Sequence, residues 1–528
     1  MDTERLEEYI SQATRFGLSH KEIVKNLRRA GWDTEEIRRA FKHGKHIPAH
    51  HKSAFGKYPR KWFVYFILLL IALILIGVIA YLLKSRATTP QHIERHQVIE
   101  TKNTPDIKEE VFTDTQTLVL PDKEKVLEQR SSYIEEKISF IEADLRSMTI
   151  TLYENGVAKE TFKILSKGKP GSWWETPTGS YHILGKKRNH YSSIGHVWMP
   201  YSMQFYGNYF VHGWPHYDDG APVSSDYSGG CIRLSNEDAQ KVFDFGPKDM
   251  PILVLEDRNE NIHYGDFLLT PAPSAPPEVT AEAFLISEIH SQKTILEKNA
   301  SVALPIASLT KLMTAVVAHE VIYLGRSIHA TPNLLAAIQE IFTPTTGSDY
   351  AGVDLLYPLL MQSSNTSANL LAGFVGGNHF VAQMNSKAES LLMEETRFSD
   401  PSGISAQNIS TAEDLSQLLA YIYYKRPFLF EITRGRVFDD IGLLKIGGTI
   451  NLTSLKNVNE FIYEPELVGV KNGKTSAAGE TLATVWNLKT PTGEVPVAII
   501  VLGSENREKD TRLLLEWVKQ NSNIKKSE

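Results

Sequence analysis

Residues 209–234, YFVHGWPHYDDGAPVSSDYSGGCIRL, contain the only cysteine of the chain, Cys231, and a histidine, His212, that can serve it. A thiolate is a far better nucleophile than a thiol, so a reactive cysteine needs a nearby base or cation that lowers its pKa. His212 is the obvious partner. The alternative is a buried structural cysteine beside a turn, which is the more common outcome for an isolated cysteine and histidine.

The residues next to the cysteine suit the approach of a substrate carbonyl. The small residues Ser228 and Gly230 precede the sulfur, where a carbonyl and an oxyanion-binding backbone N–H have to come close together. Arg233 follows Cys231 by two positions, so we expect it on the same side of an extended segment, where it can hold a substrate carboxylate. This pattern predicts acyl transfer at the cysteine.

Four ordered motifs resemble the L,D-transpeptidase catalytic domain of peptidoglycan crosslinking enzymes. They are ETPTGSY at 175–181, MPYSM at 199–203, HG at 212–213 and SGGCIR at 228–233. The resemblance covers residues 146–257 and implies a mostly β domain with Cys231 as the acylated nucleophile. It also implies that His212 is the general base and that the carbonyl of Gly213 orients the imidazole. Many relatives have a second histidine where this chain has Gly229, so we expect no role for a second imidazole.

Length and composition bound the remaining possibilities. The chain has 528 residues, a net charge of −6 and one cysteine. Single cores rarely exceed about 250–300 residues, so we expect several domains. The charge gives no reason to expect nucleic acid binding, and one cysteine excludes an intramolecular disulfide. The histidines lack the spacing of metal ligands, and we expect no metal or other cofactor.

An unbroken apolar run at residues 62–83, WFVYFILLLIALILIGVIAYLL, is long enough to cross a hydrocarbon core of about 30 Å. It begins too far from the N-terminus for an ordinary signal peptide. We therefore predict an uncleaved transmembrane signal anchor at residues 62–84. Basic residues are more numerous before the run than after it, which predicts a single-pass protein of the cell membrane with a cytoplasmic N-terminus and extracytoplasmic catalytic domains.

The segments around these parts have simpler patterns. The pattern of residues 1–45 predicts a small helical module, which either binds a cytoplasmic partner or is a solvated helical tail. Residues 85–145 are polar and contain several prolines, which predicts a stalk. We predict that residues 258–280 form a proline-rich linker and that residues 505–528 form a C-terminal helix and tail. The Glu-Asn-Gly sequence at 154–156 between alternating apolar residues predicts a hairpin.

A second group of reactive residues begins at Ser308. Lys311 follows one helical turn later on the same face, where a neutral amine can deprotonate the hydroxyl. Burial and a second cation would both lower the pKa of the lysine, and Lys471 is a candidate for that cation. Because the Ser-x-x-Lys pattern is common by chance, it carries little weight alone.

Two further motifs make it specific. SLTK at 308–311, SSN at 363–365 and GVKNGKTSAAG at 469–479 match in order the three boxes of penicillin-binding serine peptidases. With DPSG at 400–403, residues 281–504 resemble the D-alanyl-D-alanine carboxypeptidase family of low-molecular-weight penicillin-binding proteins. This implies an α/β, serine β-lactamase-like domain.

The resemblance also implies the roles of individual residues. Ser308 would be the nucleophile, Lys311 its base and Ser363 a proton relay. Asn365 would bind a substrate amide, and Lys471 and Asn472 would bind the substrate carboxylate. The backbone N–H groups of Ser308 and Lys474 would form the oxyanion hole. The third box is usually Lys-Thr-Gly, whereas here it reads Lys471-Asn472-Gly473. Asparagine can donate through its NH2 group, but from a different reach than a threonine hydroxyl.

The two resemblances together predict a multidomain, bifunctional enzyme of peptidoglycan remodelling. The serine domain would trim pentapeptide stems as a D,D-carboxypeptidase, and the cysteine domain would crosslink tetrapeptide stems as an L,D-transpeptidase. β-Lactams are the expected covalent inhibitors. Several alternatives stay open. One domain, more readily the serine one, is a peptidoglycan-binding scaffold without turnover. The serine domain is a D,D-endopeptidase or hydrolyses β-lactams, or the cysteine domain is an L,D-carboxypeptidase or attaches proteins.

Overall fold

The computed structural model describes residues 121–256, 267–335, 340–438, 440–441 and 444–524. No helix in these ranges is long and apolar enough to cross a bilayer. The predicted helical module, the predicted membrane anchor and the stalk up to residue 120 lie outside the described residues.

The first domain contains nine strands and two helices. Helix α1 is Pro121–Glu135 and helix α2 is Asn236–Phe245; the strands are β1 (Phe140–Asp144), β2 (Thr149–Glu154), β3 (Val157–Lys163), β4 (Gly179–His182), β5 (Gly185–Ser192), β6 (Val197–Tyr206), β7 (Tyr209–His212), β8 (Ile232–Arg233) and β9 (Pro251–Leu255). One sheet has the order β3-β2-β1-β9-β4, and the other has the order β5-β6-β7-β8. Both sheets and α2 contribute to one apolar core. The domain is mostly β, as predicted.

Two predictions about the start of this domain have different outcomes. The hairpin is confirmed, because β2 and β3 pair antiparallel and the turn residues Asn155 and Gly156 have φ angles of 52° and 76°. The predicted stalk extends to residue 145, but β1 is a central strand between β2 and β9. The reason is that Phe140, Ile141 and Ala143 are apolar and fully buried in the sheet.

The second domain has helices on both faces of an antiparallel sheet. The sheet order is β11-β10-β20-β19-β18, formed by β10 (Ala283–Glu288), β11 (Thr294–Lys298), β18 (Leu467–Thr475), β19 (Gly479–Lys489) and β20 (Glu494–Ser504). The helices are α3 (Thr310–Val321), α4 (Gly352–Met361), α5 (Asn365–Val375), α6 (Gly377–Ser390), α7 (Ala412–Lys425), α8 (Pro427–Thr433) and α9 (Arg507–Gln520). Short pairs join β12 (Leu304–Pro305) to β15 (Ile409–Ser410), β13 (Ser327–His329) to β14 (Asp349–Ala351), and β16 (Asp440–Ile441) to β17 (Leu444–Lys445).

The sequence of the central strand β20 explains why other elements pack on both faces of this sheet. Its sequence is apolar at almost every position, and successive side chains in a strand point to opposite faces. Val497 and Ile499 belong to the core beneath α9, whereas Ala498 and Ile500 belong to the larger helical core on the other face. A strand with two apolar faces requires this three-layer arrangement.

The proline-rich segment is held against the C-terminal helix. The backbone N–H of Thr270 donates to the carbonyl of Asn521 at 2.9 Å. The indole of Trp517 donates to the carbonyl of Ser274 at 3.1 Å. From residue 267 onward, the segment is therefore part of the second domain's surface.

The two domains share a buried interface. The ammonium of Lys425 pairs with Glu175 at 2.8 Å and also with Glu256. Trp173 stacks on Phe428 with ring centroids 3.6 Å apart. Buried charges that are paired and aromatic stacking both favour one arrangement over others, so the two domains pack as one unit.

Two candidate active sites

The cysteine site lies where two strands run side by side. β7 and β8 are parallel, with His212 opposite Arg233. Cys231 immediately precedes β8, so the period of two along a strand places its side chain on the same face as Arg233 and His212. The three predicted residues also line one cavity with a volume of about 340 Å³.

The imidazole of His212 is oriented by its own neighbour. Its Nδ1 lies 2.6 Å from the carbonyl oxygen of Gly213, which can only accept, so Nδ1 carries the proton and Nε2 keeps a free lone pair. The ring is buried, and burial lowers the pKa of His212 to about 4. The histidine is therefore neutral at physiological pH, as a general base must be.

The thiol of Cys231 is half-buried and lies 3.8 Å from the carbonyl oxygen of Asn208. Burial raises the pKa of Cys231 to about 11, although a backbone hydrogen bond from Phe210 and the charge of Arg233 act in the opposite direction. The resting groups are therefore a neutral thiol and a neutral imidazole that line the same cavity. A reaction at this sulfur requires a neutral base that can accept the thiol proton.

A tight turn presents the sulfur. The hydroxyl of Ser228 donates to the carbonyl of Cys231 at 2.5 Å and accepts from the backbone N–H of Gly230 at 3.0 Å. Gly230 has a φ of 102°, and a Cβ there would lie 2.3 Å from the ring of Tyr209. Only glycine fits this position. At Gly229, by contrast, a Cβ would meet no atom within 4 Å.

Arg233 is a nearly buried cation at the same site. Its Nη1 donates to the carbonyls of Ser225 at 3.0 Å and Tyr227 at 3.4 Å, and its guanidinium lies 5.5 Å from the ring centre of Trp214. Its Nε is buried and has no hydrogen-bond acceptor among the described residues. The group is therefore available to a substrate carboxylate.

The serine site forms at the start of α3. A short 3₁₀ turn, Ala307–Leu309, leads into the helix and brings the hydroxyl of Ser308 within 2.9 Å of the ammonium of Lys311. Ala307 has a φ of 47°, which is uncommon for a residue with a Cβ. Such strain next to a nucleophile is typical of active sites.

Lys311 is fully buried among polar acceptors. It donates to Asn365 Oδ1 at 2.8 Å and to the carbonyl of Ser402. Burial lowers the pKa of Lys311 to about 7, although the carboxylates of Glu340 and Asp400 act in the opposite direction. A substantial fraction of this lysine is therefore neutral at physiological pH and able to accept the proton of Ser308.

The second box lies opposite this lysine. Ser363 has a φ of 56°, and its hydroxyl accepts from Lys471 at 3.1 Å. Asn365 begins helix α5, and its backbone N–H donates to Glu340 at 2.7 Å. The same carboxylate also receives the N–H of Thr366 at 3.1 Å. An anion at a helix N-terminus is favourable, so Glu340 holds the helix that presents Asn365.

The third box lies on β18, the strand at the sheet edge. Lys471 is fully buried, and burial and the nearby Lys311 lower its pKa well below the usual range. The amide of Asn472 donates to the carbonyl of Val458 and to Glu460, both at 2.9 Å. Both amide hydrogens therefore have protein acceptors. Binding a substrate carboxylate through Asn472 requires one of them to be exchanged.

The predicted oxyanion hole lies where β18 meets the 3₁₀ turn. A Cβ on Gly473 would come within 2.7 Å of the backbone nitrogen of Ser308, so only a glycine leaves room beside that N–H. Lys474 contributes its backbone N–H in the prediction, and its side chain is turned to a partly exposed ion pair with Glu480 at 2.8 Å.

Several supporting residues have no role predicted from the sequence. Asp400 accepts from the backbone N–H groups of Ser402 at 2.6 Å and Gly403 at 2.8 Å. This fixes the carbonyl of Ser402 against Lys311. The signal was available, because an aspartate before Pro-Ser-Gly is typical of a side-chain-stabilised turn. Glu340 had no local signal, since its partners lie 25 residues further along the chain.

Comparison with known families covers both sites. The D-alanyl-D-alanine carboxypeptidase family matches residues 270–506, and the L,D-transpeptidase catalytic domain matches residues 138–254. The chain is 30% identical over 258 residues to a D-alanyl-D-alanine endopeptidase of Escherichia coli K12, covering 46% of this chain and 79% of that protein.

Two further similarities concern the same part of the chain. D-alanyl-D-alanine carboxypeptidase DacC of Escherichia coli K12 is 27% identical, over 46% of this chain and 62% of that protein. The crystal structure of D-alanyl-D-alanine carboxypeptidase from Mycobacterium tuberculosis H37Rv aligns with a TM-score of 0.41 and 24% identity, over 47% of this chain and 95% of that one.

Proposed function

The chain belongs to the D-alanyl-D-alanine carboxypeptidase family and carries an L,D-transpeptidase catalytic domain ahead of the peptidase domain, and from this we propose that it remodels peptidoglycan stem peptides at two separate acyl-transfer sites. The observation that carries the proposal is the presence of two independent nucleophile–base sets. Ser308 lies 2.9 Å from Lys311, and Cys231 and His212 line one cavity.

The serine site is proposed to act on the terminal D-Ala–D-Ala bond. Neutral Lys311 takes the proton of Ser308 as its oxygen attacks the carbonyl carbon. The backbone N–H groups of Ser308 and Lys474 stabilise the oxyanion. The carbon–nitrogen bond breaks, the proton passes to the departing D-alanine through Ser363, and water then hydrolyses the acyl-serine ester. The product is a tetrapeptide stem.

The cysteine site is proposed to act one residue further in. His212 takes the thiol proton as Cys231 attacks the carbonyl that links the third residue to D-alanine. D-alanine leaves with that proton, and a thioester remains. The side-chain amine of a second stem then attacks the thioester, which forms an amide crosslink and restores the thiol. Arg233 is placed to hold the donor carboxylate.

The two reactions form a sequence, because the tetrapeptide released by the first is the donor for the second. Both substrates belong to the cell wall. The proposal therefore includes the anchor at residues 62–84, with a cytoplasmic N-terminus and both catalytic domains outside the membrane; the apolar run and its basic flank support this orientation.

Single variants separate the two activities. Incubation of the chain with pentapeptide muropeptides, followed by mass spectrometry, should give tetrapeptides and crosslinked dimers that lack D-alanine at the link. Cys231→Ala should abolish the crosslinks and leave trimming intact. Ser308→Ala should abolish trimming but still crosslink added tetrapeptides. Fluorescent penicillin should label only proteins with Ser308, and a carbapenem should still label Cys231 in the Ser308→Ala protein.

Two results would contradict this division. A Ser308→Ala protein that still trims pentapeptides would remove the serine site from the scheme. A Cys231→Ala protein that still makes the same crosslinks would remove the cysteine site.

A second candidate for the serine site is D,D-endopeptidase activity. The Escherichia coli relative that is 30% identical to this chain is named D-alanyl-D-alanine endopeptidase. In that case, purified crosslinked dimers would be cleaved in the presence of Ser308, while free pentapeptides would stay intact. If neither substrate changes and penicillin does not label Ser308, the domain is a scaffold. The support for this alternative is that both amide hydrogens of Asn472 already have acceptors within the protein.

A further inference from the structure

One wall of the cavity beside Cys231 does not belong to the cysteine domain. Residues of the peptidase domain also line the cavity. They come from the end of α3, from the two positions that follow it and from β17: His319, Glu320, Ile322, Tyr323 and Leu444. The cysteine domain contributes Trp174, Val197, Met199 and Arg233 to the same lining. The cleft in which the thiol reacts is therefore built by two domains.

Contacts to the end of α3 hold this wall against the nucleophile's own neighbours. The side-chain amide of Asn208 donates to the backbone carbonyl of Val321 at 2.9 Å. The carbonyl of the same asparagine lies 3.8 Å from the sulfur of Cys231. A Cβ on Gly207 would lie 2.6 Å from the carbonyl oxygen of Glu320. The same residue, Asn208, therefore contacts both the end of α3 and the thiol.

A second set of contacts reaches the residue before the thiol. Arg426 is fully buried, is held by Glu320 at 2.8 Å, and donates to the hydroxyl of Tyr209 at 3.3 Å. The ring of Tyr209 packs where a side chain on Gly230 would be. The peptidase domain therefore packs against the turn that contains Cys231 and also lines the cavity beside it.

Within this wall, Tyr323 is the residue best placed to meet a substrate. It is partly buried, and its ring lies nearly parallel to that of Trp174 with centroids 6.4 Å apart. The pair forms an aromatic surface in the cavity that also contains the cation of Arg233. An apolar surface facing a cation suits a peptide end that combines a carboxylate with small apolar side chains.

We propose that Tyr323 of the peptidase domain is a specificity-determining residue of the cysteine site, forming the wall against which the carboxylate-bearing end of the donor stem packs. The inference rests on the proposed function of the cysteine site and adds that this site is incomplete without the neighbouring domain. Tyr323 takes no part in proton transfer. It would bind the ground state and the transition state equally well. Loss of this contact would therefore raise KM and leave kcat almost unchanged.

The test measures crosslinking kinetics of the full chain with a tetrapeptide donor at varied concentration. Tyr323→Ala should raise the donor KM about tenfold, a usual effect for lost contacts in an apolar pocket, with kcat within about twofold of wild type. Tyr323→Phe keeps the ring and should keep the wild-type KM. Tyr463→Ala, at an exposed tyrosine of the same domain with 94% exposure, is the matched control and should change nothing at the cysteine site.

Penicillin labelling of Ser308 and the melting temperature are measured in parallel, so that loss of folding is recognised. If Tyr323→Ala melts early, Tyr323→Leu retains apolar packing, removes the ring and should still raise KM. An unchanged KM in a folded Tyr323→Ala or Tyr323→Leu protein overturns the inference alone. A wild-type chain that forms no thioester at Cys231 and no crosslink overturns the proposed function, and the inference with it.

Discussion

Lowering the pH from 8 to 5 should slow acylation of Ser308 much more than acylation of Cys231. The serine reaction requires neutral Lys311, whose pKa burial lowers to about 7. At pH 8 about nine in ten lysines are neutral, and at pH 5 only about one in a hundred. The acylation rate should therefore fall about 100-fold across this range, by about tenfold for each pH unit below 6.

The cysteine site of the Ser308→Ala protein provides the control. Burial lowers the pKa of His212 to about 4 and raises that of Cys231 to about 11, so both groups stay neutral from pH 5 to pH 9. Its rate should change less than about twofold over this interval and fall only as His212 becomes protonated. Fluorescent penicillin measures the rate at Ser308 in the wild-type chain, and a carbapenem measures the rate at Cys231 in the Ser308→Ala protein, where the serine cannot react. A serine-site rate that is the same at pH 5 and pH 8 would refute the role of a neutral Lys311.

Two further substitutions test the buried parts of the peptidase domain. Glu320→Gln leaves two buried cations without their anion and should lower the free energy of unfolding, measured in urea, by about 3–5 kcal/mol. The control Glu431→Gln removes a partly exposed ion pair and should lower it by less than about 1 kcal/mol. Equal effects of the two substitutions would contradict the argument. Gly473→Ala places a methyl group 2.7 Å from the nitrogen of Ser308 and should slow penicillin acylation at least about 100-fold, whereas Gly448→Ala, where a Cβ meets nothing within 4 Å, should acylate at the wild-type rate.

The parts of the site that follow from short-range rules could be predicted from the sequence. Ser308 and Lys311 are three residues apart, and helical geometry alone brings them together. The turn at Asn155 and Gly156 follows from the preference of these residues for positive φ. Cys231 and His212 are 19 residues apart, and only a family resemblance predicts their proximity; the structure explains it by the parallel pairing of β7 and β8.

The buried ion pairs of the peptidase domain could not be predicted. Glu320 ends an apolar helix, and a charged residue at that position normally faces water. Here it is fully buried between Lys387 and Arg426, which outweigh the effect of burial and hold the pKa of Glu320 below its usual value. These three residues are 39 to 106 positions apart, so no local pattern links them. The first strand escapes prediction for a related reason. It pairs with the nearby β2, but the strand on its other side, β9, follows more than 100 residues later.

Helix α3 connects the two sites and limits how they can cooperate. Lys311 lies in its first turn and Glu320 in its last, about 14 Å apart at 1.5 Å per residue. The two bonds in the proposed sequence are one residue apart in a stem, or about 3.5 Å. One stem end therefore cannot occupy both sites, and the buried interface prevents them from approaching each other. If both sites act in sequence, the tetrapeptide must leave the serine site and bind again, so the fusion would act by raising the local donor concentration near Cys231.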